Sequence, residues 1–88
     1  MNFLLTERID DYDRFNVWFE NEAVPKIEAA GGKVILKGVQ LDDEQQLHLV
    51  MSVDAPETLQ AFMADPGFTA ERVAAGVHVD TTQVTMLK

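Results

Sequence analysis

The chain has 88 residues, 15 acids against 7 bases, a formal net charge of −8 and no cysteine. That length holds one domain, residues 1–88, with a core small enough to benefit from a partner; the lack of cysteine excludes disulfides, thiolate metal sites and cysteine nucleophiles. The negative charge argues against nucleic acid and anionic membrane as partners.

The chain opens on Met1-Asn2-Phe3-Leu4-Leu5, an apolar run too short for a secretory signal and not preceded by basic residues. No stretch approaches the ~20 apolar residues of a membrane span, and a cytoplasmic protein is the expectation. Phe3 to Arg8 reads as a first strand. Asp10 or Asp11 can cap the helix that follows. Its apolar stripe is Tyr12, Phe15, Trp18 and Phe19, at helical spacing. Pro25 interrupts the stripe, so a kink or break is expected between Asn21 and Pro25. Ile27 and Ala30 extend the face, and Gly31-Gly32 supplies the stop.

Lys33 to Leu41 reads as a second strand, with Val34, Leu36 and Gly38 on one face and Ile35, Lys37 and Val39 on the other. Asp42 to Gln46 forms a polar connection of about five residues. In the third strand, Leu47, Leu49, Met51 and Val53 alternate with His48, Val50 and Ser52. Asp54-Ala55-Pro56-Glu57 is a helix start with Asp54 as cap. Leu59, Phe62 and Met63 give that helix its buried face; Asp65-Pro66-Gly67 breaks it; Phe68 and Val73 anchor a further piece ending at Gly76. The last strand lies within Val79 to Leu87.

The order strand, helix, strand, strand, helix, strand specifies an α+β ferredoxin-like βαββαβ domain, a four-stranded antiparallel sheet with both helices on one face. The other face is then bare. It is either Leu4, Thr6 and Arg8 with His48, Val50, Ser52, Val84 and Met86, or the alternate set. Either choice exposes several apolar side chains, which a homodimer stacked through this open sheet face would cover.

Asp11-Tyr12-Asp13, Gly31-Gly32, the acidic Asp42-Asp43-Glu44, the run Leu59 to Phe68, Gly76 and the closing Val84-Thr85-Met86-Leu87 together resemble the dimeric α+β barrel superfamily. It includes antibiotic-biosynthesis monooxygenases, haem-degrading enzymes and stress-responsive barrel proteins. The resemblance implies a homodimer and covers nearly the whole chain, but by itself carries no function. Haem-degrading members use an Asn on the first strand and a Trp and a His on the second helix. The matching positions here are Glu7, Phe62 and Arg72, which argues against that activity. The quinone-forming monooxygenases need no metal or flavin and hold a phenolic substrate with Trp, Asn, Tyr and Arg. This chain offers Tyr12, Asn16, Trp18 and Arg8 near the first helix; Tyr12 and Trp18 also fit a core stripe.

Glu7 on the central strand is either an inward, partly desolvated carboxylate suited to general-base work or a hydrated residue at the sheet rim. By the resemblance, Arg72 can pair with it across the cleft between helices and sheet. The candidate catalytic residues are thus Glu7, Arg72, Tyr12 and Trp18, and the ligand-binding set is Glu7, Trp18, Phe62 and Arg72. No cofactor is expected, and no metal, because His48 and His78 lie thirty residues apart without ligand spacing. Two functions are consistent with these residues. One is a non-catalytic barrel, or one binding a small apolar or aromatic ligand. The other is a cofactor-free monooxygenase or isomerase acting on a small aromatic or polyketide-like substrate.

Overall fold

The structure, a computed structural model, covers residues Met1–Lys88. Strand β1 (Asn2–Ile9) leads to helix α1 (Tyr12–Trp18), a π-helical turn (Phe19–Ala23) and helix α2 (Val24–Ala29). Strands β2 (Lys33–Gln40) and β3 (Asp43–Ser52) form a hairpin. Helices α3 (Pro56–Ala64) and α4 (Pro66–Ala74) precede strand β4 (Val77–Leu87). The strands pair antiparallel in the order β2-β3-β1-β4, the ferredoxin-like arrangement, with the helices on one face.

Alternation in the two central strands sets the layers. Phe3, Leu5, Glu7 and Ile9 of β1, with Leu47, Leu49 and Met51 of β3, are buried against the helices. Their neighbours Leu4, Thr6, Arg8, His48, Val50 and Ser52 form the open face. Phe15, Phe19, Ala23 and Ile27 supply the helical side of the core. Phe3, Phe15, Ile9 and Leu47 are the largest fully buried side chains, each worth about 1.5–3 kcal/mol of transfer free energy.

Local chemistry explains the helix limits. Asp11 caps α1 by accepting from the Arg14 amide at 3.2 Å. Pro25 has no N–H to give the carbonyl four residues earlier, and its ring crowds that carbonyl. The preceding turn therefore widens, and Val24 N–H bonds Phe19 O instead. The break expected before Pro25 is this π turn. The chain leaves α2 through Gly31 at φ +88°, a left-handed value that suits glycine. Asp65 stands extended between α3 and α4, and its Oδ1 accepts from Gly67 N at 2.8 Å and Phe68 N at 3.3 Å.

Several local expectations are corrected. The hairpin turns on Leu41 and Asp42 alone, because Asp43 joins β3 and pairs with Arg8 at 2.6 Å. That bond to Arg8 holds the Asp43 carboxyl below its ordinary range. In β2, Val34 lies opposite Met51 but Leu36 lies opposite Val50. Ile35 is the extra residue of a bulge, so Val34, Lys37 and Val39 share the helix side while Leu36 and Gly38 face the other way. In β4 the register slips between Thr6 and Arg8 of its partner. Val84 then sits opposite Leu5 and Met86 opposite Phe3, which moves both to the helix side; Thr85 and Leu87 take the open face. Ala55, not Asp54, is the N-cap of α3, with no side-chain bond. Val73 is 54% exposed; Phe68 and Arg72 are the buried residues of α4. Leu59, Phe62 and Met63 are only partly buried, and α3 has no fully buried residue. No helix is long and apolar enough to cross a membrane.

Candidate active site

The inward face of β1 carries one polar residue, and the chain organises a cavity around it. Glu7 is 3% exposed and Arg72 of α4 is 6% exposed. Arg72 Nη2 donates to Glu7 Oε1 at 2.7 Å and to Thr82 Oγ1 at 2.7 Å. Thr82 Oγ1 in turn donates to Glu7 Oε1 at 2.8 Å. The β4 register slip makes this possible, because it turns Thr82 inward where the regular ladder to β1 is interrupted. Arg72 Nη1 has a weaker partner, Met63 Sδ at 3.7 Å. Glu7 Oε2 takes no hydrogen bond within the chain, and no fully buried side-chain oxygen or nitrogen lacks a partner. Oε2 is therefore the carboxylate oxygen within reach of solvent in the cavity.

The cavity lies between helices and sheet, and 13 of its 17 lining residues are hydrophobic. Its walls include Phe3 and Leu5 of β1, Trp18 of α1, Phe62 and Met63 of α3 and Phe68 of α4. The aromatic rings touch in sequence: Phe15 to Trp18 at 5.8 Å, Trp18 to Phe68 at 5.7 Å and Phe68 to Phe62 at 5.1 Å between centroids. These are favourable tilted contacts. The free space within it is about 50 Å³. It exceeds the ~10–15 Å³ one water needs, yet is well short of the ~150 Å³ in which an engineered apolar cavity holds benzene.

Of the predicted site residues, the structure gathers Glu7, Trp18, Phe62 and Arg72 around this cavity. Glu7 is inward rather than at a hydrated rim. Tyr12 packs on the core edge and does not line the cavity. Arg8 is on the opposite sheet face with Asp43 and Gln46, and Asn16 accepts from Lys37 at the β2 side of α1. His48 bonds Gln40 at 3.1 Å and His78 bonds Asp10 at 2.6 Å. No three His, Cys, Asp or Glu side chains gather as a metal site would need. Thr82 and Met63 were missed as site residues: nothing in a run of threonines marks the one that turns inward, and Met63 read as plain core.

Trp18 presents its ring to the cavity while its indole N–H donates outward to Glu71 Oε1 at 3.1 Å. Lys26 Nζ holds the other oxygen of Glu71 at 2.7 Å. The Lys26 bond chiefly, and the Trp18 bond next, keep the Glu71 carboxyl below its ordinary 4.5. The same bond to Glu71 raises the Lys26 ammonium above 10.5. A depressed carboxyl contributes above its unfolded pKa and is lost as pH falls through the folded one; the raised lysine contributes below its unfolded pKa and is lost as pH rises through the folded one. The clamp on Trp18 should thus persist across neutral pH and release only in acid, below the ordinary carboxylate range. Emission of Trp18, the single tryptophan, should shift in that window, and Glu71→Gln should remove the step. A step unchanged in the variant would assign it to another group.

No protein-family model and no curated protein sequence matches the chain. Solved structures do. A NIPSNAP family protein of unknown function from Agrobacterium tumefaciens superposes with a TM-score of 0.72 at 11% identity, over 99% of this chain and 85% of that one. An antibiotic biosynthesis monooxygenase superposes at 0.61 with 13% identity, over 100% and 97%. The 5-chloro-2-hydroxyhydroquinone dehydrochlorinase of Burkholderia phenoliruptrix, in complex with 2,5-dihydroxybenzoquinone, superposes at 0.55 with 19% identity, over 100% and 94%. The chain shares the ferredoxin-like α+β fold of these monooxygenase-like and NIPSNAP structures. Identities this low speak to the fold alone.

Proposed function

We propose that this protein is a homodimeric barrel that binds a small, largely apolar aromatic molecule between its helices and sheet. The observation that carries the reading is the Glu7–Arg72–Thr82 cluster in an otherwise apolar cavity. A buried ion pair is a poor source of stability, since desolvation offsets most of its attraction. A polar cluster at the base of an aromatic-walled cavity is instead a means of orienting a ligand. The quinone held by the dehydrochlorinase of the same fold suggests the ligand class; because that dihydroxy compound is ionised at neutral pH, its uncharged dimethyl ether, 2,5-dimethoxybenzoquinone, is the rational first probe.

A second reading, a cofactor-free isomerase or oxygenase, is favoured by the unbonded Glu7 Oε2. That oxygen would accept a proton from the bound molecule, while Arg72 beside it stabilises negative charge developing on an oxygen. Thermal unfolding with and without the quinone tests the shared core of both readings. At ten times Kd the gain is about 1.4 kcal/mol, a rise of several degrees for a domain this size. Glu7→Gln and Arg72→Ala should each reduce that rise. No rise in the wild type, or one unaffected by both changes, would remove the ligand from this cavity; turnover of a bound molecule that Glu7→Gln abolishes would favour the enzyme.

The dimer part of the proposal rests on the open face. Leu4, Leu36, Val50 and Leu87 lie there together across all four strands, and Leu36 is 65% exposed. Such a contiguous apolar patch is atypical of a monomer, and a two-fold partner with the same patch covers it.

A further inference from the structure

We propose that Met63 is a specificity-determining residue: its sulfur holds the place of a ligand oxygen on Arg72, so the cavity selects uncharged aromatic molecules bearing a carbonyl-type acceptor. The inference rests on the ligand-binding reading above and adds which atom is read, and by what. Arg72 has two terminal nitrogens in different situations. Nη2 is committed to Glu7 and Thr82 at 2.7 Å each. Nη1 faces only Met63 Sδ at 3.7 Å, and a thioether is a weak acceptor. A guanidinium donor left on sulfur in an apolar cavity gains markedly when an oxygen replaces it, because hydrogen bonds to charged groups are the stronger ones.

The element carrying Met63 is built to give way. Helix α3 buries no residue fully and its N-cap makes no side-chain bond. It ends on the extended Asp65, whose carboxylate caps α4 rather than α3. Arg72, on α4, can therefore stay paired with Glu7 while α3 moves outward about Asp65. The present 50 Å³ is too small for a ring, so any aromatic ligand must displace part of the wall. Met63 and Phe62 are wall residues on the one helix free to shift, and methionine repacks readily. Charge decides the ligand class. The Arg72 charge is already balanced by Glu7, so a carboxylate would meet a like-charged neighbour, whereas a neutral oxygen acceptor takes the Nη1 bond without that cost.

The test uses three probes of similar shape: acetophenone, ethylbenzene and benzoate. Titrations are followed by NMR of ¹³C-methyl methionine. Met51 also lines the cavity and reports binding when residue 63 is replaced. Acetophenone should bind wild type about tenfold or more tighter than ethylbenzene, the value of one charge-assisted bond, and benzoate should bind more weakly than acetophenone. Met63→Leu keeps the bulk and removes the sulfur; it should tighten acetophenone a few-fold and leave ethylbenzene unchanged. Equal affinity for acetophenone and ethylbenzene in the wild type, or equal effects of Met63→Leu on both, would overturn the role of Met63 and leave the cavity as a plain apolar site. No binding of any probe to wild type or variant would overturn both this inference and the ligand-binding reading.

Discussion

Arg72→Met should lower the stability of the fold by about 3–5 kcal/mol, because it leaves the Glu7 carboxylate buried without its cation. The magnitude follows from burial on both sides: the two side chains are 4% and 8% exposed, so the little water that reaches Glu7 Oε2 replaces the lost partner only in part. Against the total of about 5–15 kcal/mol typical of a domain, that loss brings the folded state near its limit. Glu7→Gln combined with Arg72→Met should recover much of it, since the charge itself is gone and Thr82 can still bond the amide. Urea denaturation at fixed protein concentration measures all three, with concentration held because association adds to apparent stability. A cost below about 1 kcal/mol for Arg72→Met, the range of an exposed pair, would mean that the cavity admits enough water to solvate Glu7.

Val50→Asp should break the proposed dimer. Val50 is on a central strand of the open face, flanked directly by Leu4 on one side and Leu36 on the other. A carboxylate there would be desolvated in a face-to-face pair with no cation opposite on the neighbouring strands. Kd should rise by about two orders of magnitude or more, equivalent to roughly 3 kcal/mol. Sedimentation at micromolar concentration should show the wild type at twice the 9.8 kDa chain mass and the variant at that mass, with far-ultraviolet dichroism unchanged. A wild type sedimenting as a single chain at that concentration would overturn the dimer.

The regular parts of the fold were readable because they follow period and punctuation. The alternation from Leu47 to Val53, the proline at position 25 and the Asp65-Pro66-Gly67 break each act within a few residues. What escaped depends on pairing between distant strands. The bulge at Ile35 reassigns Leu36 to the opposite face from Val34, although both are aliphatic residues that suit either side. The slip in β4 moves Val84 and Met86 to the helix side and brings Thr82 onto Glu7. The site shows the same division. Glu7 was a candidate from its place on the central strand and Arg72 from the resemblance, whereas Met63 and Thr82 are ordinary until the helix packing and the β4 register place them.

The three register defects fall on β2 and β4, the strands that border the sheet. A sheet with clean borders can recruit another strand at either side, then another, and lengthen into a ribbon. Here each border is interrupted within its own length, and β2 carries Lys33 and Lys37 besides. Lateral growth is discouraged, which leaves face-to-face pairing through the open face, the proposed mode, as the route to association. Paired as proposed, such a molecule would stop at two: the irregularities that hid its register from the sequence would also oppose any larger assembly.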